Sequence, residues 1–131
     1  MAEMEHLNRL SEAVIGAAIE VHRHLGIGFL ESTYEKALSM ELELRNIKHE
    51  RQVPVALDYK GQSIGDGKLD LLVDNCLIVE LKAISNLVDA HKTQVLAYLK
   101  ATDFKLGLLI NFHSPLLKDG VRRIVMDSAR N

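Results

Sequence analysis

The sequence predicts an α+β, or mixed α/β, domain in which helices pack on one sheet. Three observations carry that expectation. Two stretches in the first third of the chain repeat their apolar residues at helical spacing. Two short runs rich in Leu, Ile and Val occupy the middle. A third helical stretch then precedes another apolar run and a short final strand.

The first helix is expected over 7–25, where Leu7, Leu10, Val14, Ala17, Ala18, Val21 and Leu25 share a face. Gly26-Ile27-Gly28 ends it, as glycine does at a helix C-terminus. A second helix follows over 30–45, with Leu30, Tyr34, Ala37, Leu38 and Leu42 on one side. Residues 53–57 form a strand, Asp58-Tyr59-Lys60-Gly61 a turn, and 62–64 a short return strand. Gly65-Asp66-Gly67 breaks the pattern. Residues 69–73 and 77–81 are too short for helices and read as central strands joined by a hairpin at Asp74-Asn75. A third helix over 88–101 turns Val88, Val95 and Leu99 inward. Strands over 105–111 and 121–126 complete the order α-α-β-β-β-β-α-β-β, with a turn at Asp119-Gly120. The chain reads as one domain over 1–131, with residues 1–7 and 127–131 as tails.

Composition narrows the function classes. The 131 residues are 47% apolar and 26% charged, the balance of a globular domain with one core. The net charge of −2 provides no broad basic field for nucleic acid, so any such binding needs a local patch, a partner or a second subunit. Cys76 is the only cysteine, which excludes an intrachain disulfide and suits a reducing cytoplasm. No apolar run resembles a signal peptide or a membrane span. Trp is absent and other aromatics are few, which argues against stacking on single-stranded bases. The six histidines show no zinc spacing, and no glycine-rich phosphate loop opens a helix.

The candidate chemistry lies in Asp70, Glu80 and Lys82. Alternate residues of a strand share a face, so Glu80 and Lys82 point one way while Val79 and Leu81 enter the opposite layer. An odd hairpin loop centred on Asn75, such as Asp74-Asn75-Cys76, sets Asp70 across from Glu80; an even loop sends the two to opposite faces. Two adjacent carboxylates repel unless a cation joins them. Hard oxygen donors suit Mg²⁺ or Mn²⁺, which can lower the pKa of a bound water and neutralise a phosphate. Glu-x-Lys alone is a weak signal, and a surface ion pair is its bland reading. Here it sits inside the apolar strand Leu77–Ala83, where charges need partners.

Two further elements flank this set. Gln94 and Tyr98 lie four apart at the polar edge of the third helix, with His91 one turn earlier. They are either borders of a core or assistants of the site. Glu31 falls inside the apolar stripe of the second helix, between Tyr34 and Leu38. Its place in the first turn suits a helix N-terminus, the favoured reading, and metal ligation is the alternative. Glu20 reads as solvated and His22 as structural.

Together these residues resemble a known family. Gly67-x-x-Asp70, Glu80-x-Lys82 and Gln94-x-x-x-Tyr98 look like the motif set of RecB-like nucleases in the PD-(D/E)XK superfamily. Gly28-x-x-Glu31-x-x-Tyr34 is similar to the signature of the GxxExxY proteins within it, with Ile27 standing where proline is expected. The resemblance runs from about Asn8 to Val125 and includes Arg51-Gln52-Val53-Pro54-Val55, Ile78-Val79-Glu80-Leu81-Lys82-Ala83 and Leu108-Leu109-Ile110-Asn111-Phe112. It implies a restriction-endonuclease-like core with a central mixed sheet flanked by helices. It implies Asp70 and Glu80 as metal ligands, joined by the Leu81 carbonyl and Glu31, with Lys82 as the catalytic lysine and Gln94 and Tyr98 assisting.

Two functions are therefore expected. The first is a Mg²⁺- or Mn²⁺-dependent nuclease acting on DNA ahead of RNA. The second is a catalytically silent module of the same fold that assembles with itself or with a protein partner. The complete acidic pair and lysine favour the first; the modest charge and Leu-rich helices suit the second.

Overall fold

The computed structural model describes residues 2–126. Helices α1 (Ala2–Leu25) and α2 (Glu31–Leu44) precede strands β1 (His49–Tyr59), β2 (Gln62–Val73) and β3 (Leu77–Lys82). Helix α3 (Asp89–Thr102), strand β4 (Leu106–Asn111), a 3₁₀ turn (Leu117–Gly120) and strand β5 (Val121–Val125) follow. The five strands form one sheet in the order β1-β2-β3-β4-β5. Among the described residues only β3 and β4 run parallel. A parallel pair needs a long crossover, and α3 supplies it.

The sheet is the middle of three layers. On one face Leu71, Val73, Leu77, Val79, Leu81, Leu108 and Ile110 pack with Val14, Ala17 and Val21 of α1 and Tyr34, Leu38 and Leu42 of α2. On the other, Leu69, Leu72, Ile78 and Leu109 meet Val95 and Leu99 of α3. Gly107 lets α3 lie against β4, since a Cβ there would stand 2.7 Å from Val95 Cγ1.

Two details depart from the expectation, and a third lies outside the described residues. The pieces 62–64 and 69–73 are one strand, because Gly65 passes through the break at φ +122° and pairing with β1 resumes beyond it after one register shift between Leu57 and Asp58. The sheet therefore has five strands rather than six. Residues 2–7, expected as tail, are helical, and Leu7 is buried in the core. The C-terminal tail at 127–131 lies outside the described residues.

Strand alternation also slips at one place. Leu69 and Leu71 are two apart, yet they enter opposite cores. Opposite the intervening Asp70, between the pairs Arg51↔Leu71 and Val53↔Leu69, stands Gln52 at φ +52°. The long β1–β2 hairpin thus turns over at Gln52 and Asp70.

Candidate metal centre

The hairpin loop between β2 and β3 is Asp74-Asn75-Cys76, with Asp74 at φ +49° and Asn75 at φ +56°. Its odd length pairs Val73 with Leu77, Leu72 with Ile78 and Leu71 with Val79. One step further along this register Asp70 stands across from Glu80. There the two strands part: β2 continues against β1, and β3 continues against β4. The parted strands leave backbone donors at the fork, and the carboxylates take them. Asp70 N–H donates to Glu80 Oε2 at 2.8 Å, and Leu81 N–H donates to Asp70 Oδ2 at 2.8 Å.

Glu80 is 4% exposed, and Asp70 and Lys82 are half-buried. Burial first, and the charge of Asp70 second, push the Glu80 carboxyl up to about 8. Asp70 is also raised, by burial above all, against the Leu81 N–H that favours its charged form. Glu31 is half-buried at the first position of α2, and burial followed by Asp70 raises it. The charge of Lys82 acts on all three in the opposite sense. The charges of Asp70, Lys82 and Glu31 thus all act on Glu80. The excess of acid is what a divalent cation neutralises, and the donors are hard oxygens that fit Mg²⁺ or Mn²⁺.

The placement of Glu31 depends on Tyr34. Gly26 at φ +71° and Gly28 at φ +113° turn the chain between α1 and α2. Tyr34 Oη donates to the Gly26 carbonyl at 2.6 Å and accepts from Phe29 N–H at 3.3 Å. Its ring stacks on Phe112 with centroids 4.5 Å apart. The Gly28-x-x-Glu31-x-x-Tyr34 spacing thus ties the loop down and starts α2 at Glu31.

Two buried polar residues near the site, Glu35 and Asn111, had no role assigned from the sequence. Glu35 is 5% exposed and accepts from Arg51 Nε at 3.1 Å and Gln52 Nε2 at 2.6 Å. Its charge bears on Asp70 and Glu31, while Gln52 favours the charged form of Asp70. The signal was present: Glu35 follows Glu31 by four and precedes Leu38 by three, within the same stripe. Asn111, 4% exposed, accepts from Ile84 N–H at 3.1 Å and His113 N–H at 3.2 Å and donates to the Ile84 carbonyl at 2.9 Å. It anchors the segment that leaves Lys82.

The third helix contributes differently. Tyr98 lies over Gly67 of β2, where an added Cβ would come 2.5 Å from Tyr98 Cε1. Gln94 is exposed one turn before it. His91 caps α3, its Nδ1 accepting from Val88 N–H at 3.0 Å. His22 meets the Ser114 carbonyl at 2.8 Å, a structural contact. Glu20 pairs at the surface with Arg23 and His24.

A five-stranded mixed sheet flanked by helices, with this connectivity, is a restriction-endonuclease-like core. The chain belongs to the PD-(D/E)XK nuclease superfamily, whose family model matches residues 8–124. Neither a curated protein nor a solved structure matches it. Members of the superfamily generally use divalent metals. Among the described residues no helix is long and apolar enough to cross a membrane.

Proposed function

We propose that this chain is a Mg²⁺- or Mn²⁺-dependent nuclease hydrolysing phosphodiester bonds, with DNA ahead of RNA as substrate. The observation that carries the reading is the fork at Asp70 and Glu80, where each carboxylate is held by the other strand's backbone amide and the charge of Lys82 acts on both. Asp70 and Glu80 would be the primary ligands of the ion, with the Leu81 carbonyl and Glu31 as further oxygen donors. The ion would supply a water of lowered pKa and neutralise charge on the scissile phosphate. Lys82 would orient the attacking water or stabilise the charge developing on the phosphate. Tyr98 and Gln94 contribute from α3. Within the superfamily we assign the chain to the GxxExxY proteins, supported by the way Tyr34 fastens the loop before Glu31.

Calorimetry with Mn²⁺, followed by cleavage assays on single- and double-stranded DNA and RNA, tests this. Wild type should bind the ion and cut. Lys82→Ala should bind comparably and cut about 10²–10³-fold more slowly. Asp70→Asn should lose both properties. Mn²⁺ binding without cleavage of any substrate would favour the assembly module instead. The exposure of Leu30 (74%) and Leu44 (77%) at the two ends of α2 is the observation on that side.

A further inference from the structure

We propose a second cation site, away from the carboxylate fork, formed by His6, Asp74 and Cys76 and suited to Zn²⁺ or another thiophilic divalent ion. His6 lies near the start of α1, and Asp74 and Cys76 are the first and third residues of the β2–β3 loop. An imidazole nitrogen, a carboxylate oxygen and the thiol sulfur lie within 4.8 Å of one another. His6 is exposed and the other two are half-buried, so an ion reaches them from solvent without opening the core.

The donor types choose the ion. Mg²⁺ prefers oxygen alone, whereas a thiolate with an imidazole and a carboxylate suits Zn²⁺. His6 Nε2 and Asp74 Oδ2 are 2.8 Å apart, a hydrogen bond with a proton between them. Ligands about 2.1 Å from a tetrahedral zinc stand about 3.4 Å from each other, so the ion replaces that proton with a side-chain movement of roughly half an ångström. Water can complete the fourth position. The bound ion would fasten α1 to the loop whose odd length aligns Asp70 with Glu80.

Cobalt(II) replaces zinc and reports its ligands. Titration of the reduced protein with Co²⁺ should produce a thiolate-to-cobalt charge-transfer band and the visible bands of a tetrahedral ion, both removed by added Zn²⁺. Cys76→Ser should abolish the charge-transfer band. His6→Ala and Asp74→Asn should each weaken Co²⁺ binding by at least about tenfold, with circular dichroism unchanged. Asp70→Asn should leave the band intact, which separates this site from the carboxylate fork. No band in wild type would overturn the proposal. So would a band of unchanged affinity in His6→Ala and Asp74→Asn, since the thiol would then be binding alone.

Discussion

Glu80 accepts the backbone N–H of Asp70, the residue whose own carboxylate repels it, at 2.8 Å. Asp70 in turn accepts the N–H of Leu81, next to Glu80 in the chain. Each strand's amide thus holds the other strand's carboxylate where β2 and β3 separate. The two acids are kept together by backbone that cannot move away, and the repulsion is left for a proton or a cation to relieve.

Ion binding should therefore release a proton. Glu80, pushed up to about 8, holds its proton at neutral pH, and a ligating carboxylate must lose it. Calorimetry of Mn²⁺ binding in buffers of different ionisation enthalpy should show about one proton released per ion near pH 7. Affinity should rise with pH and level off above about 8. Affinity that stays flat between about pH 6 and pH 8 would contradict this placement of Glu80.

The ion-free fold should lose stability as pH rises. Glu80 ionises near 4.5 when unfolded and near 8 when folded, so between those values the folded state holds the extra proton. Stability is greatest below the lower value, falls through the window, and is flat above it. One proton corresponds to a slope of at most about 1.4 kcal/mol per pH unit. Asp70 and Glu31, also raised, act in the same direction. Urea unfolding across this range in a chelator should show the fall, and Glu80→Gln should reduce it and be the more stable protein near pH 8.

Gly67→Ala should destabilise by about 1–3 kcal/mol, because its Cβ enters the Tyr98 ring at 2.5 Å from Cε1. Tyr98→Ala makes room for the methyl. In a double-mutant cycle by thermal unfolding, the pair should therefore cost less than the sum of its members. Strict additivity would mean that the ring does not lie on Gly67.

Tyr34→Phe keeps the stacking on Phe112 but removes the hydroxyl shared by Gly26 and Phe29. A loss of about 1–2 kcal/mol in chemical denaturation is expected. Hydrogen exchange should speed up first in the loop between α1 and α2. An effect no larger than that of an exposed Tyr→Phe change, such as at Tyr59, would remove the fastening role.

The sequence made Asp70 and Glu80 legible because side-chain alternation and loop parity are local rules. A three-residue loop centred on Asn75 is enough to set the register, and the observed pairs Val73↔Leu77 to Leu71↔Val79 follow from it. Glu35 and Asn111 were less visible. Their meaning lies in partners 16 or more residues away, Arg51 and Gln52 for one and Ile84 for the other. The break expected at Gly65-Asp66-Gly67 failed for a related reason. Glycine weakens a strand intrinsically, but a paired neighbour strand carries it across.

By itself the sequence determined where the three helices fall, though not where α1 begins, and the central hairpin with its register, because periodicity and turn chemistry act over a few residues. Only the tertiary structure decided that β2 and β3 part at Asp70, that the β1–β2 hairpin turns over at Gln52, and that the charge of Asp70 acts on Glu31. Those depend on which strand each edge pairs with and how α2 is tied down by Tyr34. Such choices are made by competition among distant surfaces for burial and hydrogen bonds, and no local window contains both competitors.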